Sequence, residues 1–239
     1  MNRSVKIHSR LCLAVVYVLL SFFAVSQTAK DDLTAMSKVF AKLTAFDMNV
    51  DIKVYKNEKD ASPSFTSKGR TAKSDGKFYL SMLNKKTILN NKLLLVIDDQ
   101  QKLLMYSRLS DDQIKLLTAN QTINIDSIIS SNPAEISYVV NNANEKKIIV
   151  KSNTETIKSI VISMDPKTYV LTEIVYSYAT EDTKVNSKVI VRYSNFAFEA
   201  KDTQLFSQSK YIKSGKKITA TPAYKNYRII NTEDYSKQR

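Results

Sequence analysis

The residues best suited to chemistry are few. His8 and Cys12 are the only histidine and cysteine in the 239 residues, and both fall within the first 26. A chain that loses this segment has no imidazole and no thiolate. That excludes Ser-His-Asp triads, Cys-His dyads and zinc held by His or Cys. It also excludes disulfides, so the domain must hold itself together by burial alone. What remains is carboxylate or Ser-Lys chemistry. The acidic pairs Asp31-Asp32, Asp98-Asp99 and Asp111-Asp112 are the candidates. Each sits where a helix start or turn is expected, so capping and turn roles are the expectation for them. The chain reads as a non-enzyme, with no metal and no cofactor.

The first 26 residues have the layout of an export signal. Arg3, Lys6 and Arg10 lead into the uncharged stretch from Leu11 to Val25, and Ala24-Val25-Ser26 places small residues where a signal peptidase inspects the chain. Cleavage before Gln27 is the expectation, giving a signal peptide over 1–26 and a single domain over 27–239. The apolar run is short for a membrane span, and no later segment is apolar for long enough to cross one. Cys12 lies inside that run instead of at a cleavage point, so no lipid anchor is expected. The predicted location is the periplasm.

Formal net charge is +13, and removal of three basic residues and no acidic one leaves +10. Such a balance can suit nucleic acid or anionic lipid. The lysines, however, are dispersed, with Lys85-Lys86, Lys146-Lys147 and Lys216-Lys217 as separate pairs, and no arginine cluster or aromatic RNA-binding signature occurs. They read as solvated turns and strand edges, and no nucleic-acid partner is expected.

The elements that must position any site are mostly strands. From Asp32 to Thr44, Leu33, Met36, Val39, Phe40 and Leu43 recur at helical spacing, with Asp31 or Asp32 able to cap the start. Met48, Val50, Ile52 and Val54 then alternate with polar residues as a half-buried strand. Further strands are predicted over Ser64 to Ala72, Lys77 to Leu83, Lys92 to Ile97 and Leu103 to Ser107, the last two forming a hairpin. Asp75-Gly76 marks a turn. Gln113 to Leu117 is readable as strand or helix. Ile125, Ile128 and Ile129 suggest a short helix before Asn132-Pro133. Strands return near Glu135 to Val140, Lys147 to Ser152, Ser159 to Met164, Val170 to Ser177, Lys188 to Tyr193 and Tyr224 to Ile230. This is a mainly β (α+β) class: an antiparallel meander of about ten strands covered by a few short helices. Periodicity does not distinguish a packed core from a cavity beneath such helices.

Several stretches are similar to the periplasmic lipoprotein-carrier family, LolA-type. They are the helix ending Leu43-Thr44-Ala45-Phe46 with the strand Met48 to Tyr55, and the hairpin Leu95-Val96-Ile97-Asp98 with Leu103 to Tyr106. To these add Ile157 to Ile162 with Asp165-Pro166-Lys167-Thr168 and Leu171 to Ile174, then Val191-Arg192-Tyr193-Ser194-Asn195-Phe196 with Phe206 downstream. The resemblance covers most of Asp32 to Phe206. It implies an open β-barrel or half-barrel closed by helices over an apolar cavity. Three departures stand out. Lys73-Ser74-Asp75-Gly76 occupies the place of the family's Arg-Pro latch, tryptophan is absent, and 207–239 is a C-terminal extension beyond the resemblance.

The function the resemblance implies is a monomeric, non-catalytic carrier or binder of lipoprotein acyl chains or other lipids, meeting inner- and outer-membrane protein partners. Cavity-lining candidates are Val50, Ile52, Phe78, Leu80, Met82, Ile160, Ile162, Ile174, Tyr176, Val189 and Val191 from strands, with Met36, Val39, Phe40 and Leu43 as a lid. Burial of an acyl chain there is worth about 0.8 kcal/mol per methylene. The alternative is a scaffold of the same fold for protein interaction or envelope stress sensing, which needs no hollow interior.

Overall fold

The computed structural model describes residues 28–90, 92–120, 133–154, 156–178, 187–200, 202–215 and 217–232. The expected signal peptide and the helix expected around Ile125 to Ile129 lie outside them.

Helix α1 (Ala29–Lys42) starts three residues before the periodic pattern suggests. Thr28 is its N-cap: Thr28 Oγ1 accepts the Asp31 N–H, and the Asp31 carboxylate accepts the Thr28 N–H in return. Asp31 therefore caps from the third helical position, while Asp32 turns inward with Leu33, Met36 and Phe40. The helix stops at Lys42, where Leu43 takes up extended backbone leading into the first strand.

In chain order the strands are β1 (Phe46–Tyr55), β2 (Phe65–Ser74), β3 (Lys77–Met82), β4 (Lys85–Asn90), β5 (Leu93–Asp98) and β6 (Leu103–Arg108). After helix α2 (Asp111–Asn120) come β7 (Glu135–Asn141), β8 (Lys146–Lys151), β9 (Ile157–Met164), β10 (Leu171–Tyr178) and β11 (Lys188–Ala197). The extension adds β12 (Ile212–Lys213), β13 (Thr219–Ala220) and β14 (Arg228–Asn231). Twelve strands form one open sheet in the order β14-β6-β5-β4-β3-β2-β1-β11-β10-β9-β8-β7, while β12 and β13 pair with each other. Every pairing in the large sheet is antiparallel except β14 on β6, which is parallel. An open β half-barrel with few helices is thus the fold.

Several local expectations change. Strand β4 is absent from the sequence reading: Lys85 and Lys86 open a strand, paired to Asp98 and Asp99, instead of marking a turn. Lys146 and Lys147 likewise begin β8. Residues 111–120 resolve as helix, opened by Ser110 and Gln113 exchanging side-chain and backbone hydrogen bonds. The strand expected from Tyr224 starts at Arg228, after a 3₁₀ turn over Pro222–Tyr224.

Adding the registers across the sheet assigns its two faces. Val50 lies opposite Tyr193, and Ile52 opposite Val191, which pairs with Ile174 and through it with Ile162 and Ile148. These residues share the face on which α1 packs, where Leu33, Met36 and Phe40 meet Ile148, Val150, Ile160, Ile162 and Ile174 in a buried core. A second core lies on the opposite face, at the other half of the sheet. There Ala72, Tyr79, Ile88, Leu95, Ile97 and Leu104 are covered by Phe206, Tyr211, Ile212 and Ile218 from the C-terminal segment. The Gln208 side-chain amide fastens that segment by donating to the carbonyls of Ile88 and Leu93, at 3.2 and 2.6 Å. Neither face of so wide a sheet can be buried by one short helix, and the chain meets this with one cover per face.

Candidate ligand-binding face

All eleven strand residues expected to line a cavity fall on the α1 face. On β1, β11, β10 and β9 these are Val50, Ile52, Val191, Val189, Ile174, Tyr176, Ile162 and Ile160. The register continues through Val50 opposite Gly69 and Thr71 opposite Leu80, placing Phe78, Leu80 and Met82 of β3 on the same side.

Burial then divides them. Met36, Phe40, Ile160, Ile162 and Ile174 belong to the packed α1 core, each at most 8% exposed, and Leu43 packs against its edge. For these, filling a core is sufficient explanation. Val50 and Phe78 are also buried. By contrast Val39, Ile52, Leu80, Met82, Tyr176, Val189 and Val191 are only half-buried. Of the strand members of this group, Tyr176 of β10 packs against the α1 core, while those of β11, β1 and β3 lie outside that cluster. Sequence reasoning missed Val54, Leu94, Val96 and Met105, which the registers put on this face and which are also half-buried. The alternation within Lys92 to Ile97 and Leu103 to Ser107 carried that signal. Gly69 sits in the middle of this face for a steric reason: a Cβ there would lie 2.3 Å from the Ser81 carbonyl oxygen. Burial raises the phenol pKa of Tyr176 and of Tyr193, so both stay neutral hydroxyls at the sheet surface.

A polar cluster fixes α1 in place. Asp32 is fully buried, and its carboxylate receives Lys146 Nζ at 2.5 Å, the Tyr138 hydroxyl at 2.6 Å and the Tyr169 hydroxyl at 3.3 Å. These partners come from β8, β7 and the β9–β10 turn. Burial works to lower the Lys146 pKa, and the hydrogen bond and charge of Asp32 outweigh it, leaving a net rise. The expectation that Asp32 caps the helix is therefore corrected. It is a buried ion whose partners lie more than a hundred residues away, a distance over which sequence gives no pairing signal.

The remaining carboxylate pairs are occupied individually. Asp98 accepts the Gln100 and Gln101 N–H groups and faces Lys85 at 3.4 Å. Asp99 binds the Lys86 ammonium and the Tyr227 hydroxyl. Asp111 pairs with Lys92 at 2.8 Å. Among the described residues no group of three His, Cys, Asp or Glu side chains could hold a metal ion, and no helix is long and apolar enough to cross a membrane.

No protein-family model and no curated protein matches the chain. Solved structures do. An uncharacterized conserved protein from Thermus thermophilus is similar at 9% identity, over 85% of this chain and 98% of that one, with a TM-score of 0.46. The MucA/MucB complex of Pseudomonas aeruginosa is similar at 12% identity, over 81% of this chain and 63% of that one, with a TM-score of 0.46. A LolA superfamily protein from Nitrosomonas europaea is similar at 10% identity, over 76% of this chain and 98% of that one, with a TM-score of 0.34. These likenesses concern the path of the backbone.

Proposed function

We propose that the domain over 27–239 is a non-catalytic binder or carrier of acyl chains in the periplasm, after removal of the signal peptide. The observation that supports it is the unequal cover of one apolar sheet face. Helix α1 covers the β7 to β10 side, while Ile52, Leu80, Met82, Val189 and Val191 are half-buried apolar residues beside it. Apolar side chains left half-covered on a sheet face are where an apolar ligand would gain contact. An acyl chain laid along them gains about 0.8 kcal/mol for each methylene removed from water, so ten methylenes supply roughly 8 kcal/mol before ordering costs. Donor and acceptor proteins at the two membranes would then exchange the cargo.

The test is titration of a fluorescent long-chain fatty acid into delipidated protein, with Leu80→Asp as the variant. Leu80 is half-buried, so the charge opposes the ligand more than the fold. Saturable binding by the parent chain and its loss in the variant are the expected results. A parent chain that binds no long-chain probe refutes the proposal. A scaffold for protein interaction would then lead, a reading favoured by the Asp32 cluster, which holds α1 as a fixed cover instead of an opening lid.

A further inference from the structure

On the face opposite α1 the C-terminal segment does not seal the sheet completely. Between it and strands β3 and β4 lies a cleft of about 400 Å³, within the range of roughly 300–1,000 Å³ usual for small-molecule sites. Tyr79 and Lys86 line it from the sheet, and Gln204, Ser209, Lys210 and Tyr211 from the segment.

Two of these residues are buried rings whose hydroxyls open onto the cleft. Tyr79 is 8% exposed and Tyr211 6%. Among the described residues neither phenol oxygen has a hydrogen-bond partner, and neither is sealed from the cleft as a fully enclosed atom. A hydroxyl that opens onto a cleft is hydrated when the site is empty and can bond a ligand group that displaces that water. Burial raises the Tyr211 pKa and the nearby Lys86 ammonium only partly offsets it, so at neutral pH this hydroxyl keeps its proton and is a donor.

The charges around the two phenols are built in. Lys86 is held by Asp99, whose other oxygen accepts the Tyr227 hydroxyl at 3.0 Å. Tyr227 meets Tyr224 edge to face, and Tyr224 meets Tyr211 at a tilt, with ring centroids 4.8 and 5.0 Å apart. The Lys210 ammonium stands 5.9 Å from the centroid of the Tyr211 ring. Against these two cations the lining carries one carboxylate, Asp202, which caps the Gln204 N–H at 2.9 Å. Since Asp99 already matches Lys86, Lys210 is the lining cation that forms no ion pair among the described residues, and a single such cation suits a monoanion better than a dianion. Its other polar groups are uncharged: the Gln204 amide and the Ser207 and Ser209 hydroxyls, which bond each other at 2.9 Å.

We propose that this cleft binds a small polyhydroxylated carboxylate, the chemistry of a uronic acid. The carboxylate sits at Lys210, and the ring hydroxyls take the free valences of Tyr79, Tyr211, Ser209 and Gln204. The site lies on the opposite side of the sheet from the proposed acyl-binding face and does not depend on it.

Calorimetric titration of the mature chain with D-glucuronate tests this, using Tyr79→Phe and Tyr211→Phe to remove each hydroxyl while keeping the ring in its core. Wild-type chain is expected to bind, and each variant to bind about tenfold more weakly, the loss usual for one hydrogen bond to a charged or polar ligand group. The melting temperature should stay within a few degrees of the parent, and fatty-acid binding should be unchanged. Lys210→Gln, at an exposed position, supplies an independent arm and should also weaken glucuronate. No binding by the parent overturns the proposal. So does equal affinity in all three variants, equal affinity for D-glucose, or binding of inorganic phosphate with no binding of glucuronate.

Discussion

Replacing Asp32 with Ala removes the carboxylate at the centre of the α1 attachment. The site is fully buried, and Lys146 keeps only 12% of its side chain exposed. After the change the ammonium retains the Tyr169 hydroxyl, 3.5 Å away, as its remaining partner in the cluster. Breaking a buried pair from one side costs about 3–5 kcal/mol, because the partner charge stays buried without compensation. That is a large part of the roughly 5–15 kcal/mol that holds a domain folded. At roughly 2–4 °C per kcal/mol for a domain of this size, the melting temperature should fall by about 6–20 °C. The cluster also predicts an order. Tyr138→Phe loses a 2.6 Å hydrogen bond to a charged acceptor, worth about 1.5–3 kcal/mol, and Tyr169→Phe loses a longer one at 3.3 Å and should cost less. Changing both charged partners together, Asp32→Leu with Lys146→Met, should recover much of the loss, since no ion is then left alone. Urea unfolding of the four variants measures all of this, and moderate salt should change the Asp32→Ala cost little because the pair is sheltered from solvent. A loss below about 1 kcal/mol for Asp32→Ala, or an Asp32→Leu/Lys146→Met chain as unstable as the single variant, would refute the reasoning.

Ile162→Asp places an unpaired carboxylate in the α1 core, where Ile162 is 0% exposed, and thermal melts should show a strongly destabilised or unfolded chain. Gly69→Ala drives a Cβ toward the Ser81 carbonyl oxygen, so β2 and β3 must part. A cost of about 1–3 kcal/mol in chemical denaturation is expected, where an open strand position would gain from the same change. Asp98 and Asp165 have lowered pKa values, chiefly because the backbone N–H groups of Gln101 and of Thr168 bond their charged forms. Folded-state values below the unfolded one mean a contribution present at neutral pH and lost as pH falls from about 4 through those lowered values. The urea midpoint should drop over that acid range, and Asp98→Asn should flatten the drop. An acid limb identical in parent and variant would remove Asp98 from the account.

The strands were legible where side chains alternate over enough residues. Met48 to Val54 and Ser159 to Met164 read correctly because a period of two over a half-buried strand is a local property. Strand β4 escaped because Lys85-Lys86-Thr87 gives its first half no apolar partner for Ile88 and Leu89, and the lysines resembled a turn. Two helix starts were written in the sequence but not used: Thr28 with Asp31, and Ser110 with Gln113, three residues apart in each case.

By itself the sequence determined that imidazole and thiol chemistry are confined to the first 26 residues, that the chain is mainly β, and which apolar residues share a strand face. Tertiary structure alone decided what covers each face. Alternation sorts side chains into two sets but does not say which set meets a helix, because that depends on registers added strand by strand across the twelve-stranded sheet. The same limit applies to Asp32 with Tyr138 and Tyr169, and to Tyr79 with Tyr211, which are far apart along the chain. A local pattern specifies the conformation of the backbone that carries it. The partners of a buried charge or hydroxyl are specified only once distant segments have packed, since burial and pairing belong to the assembled fold.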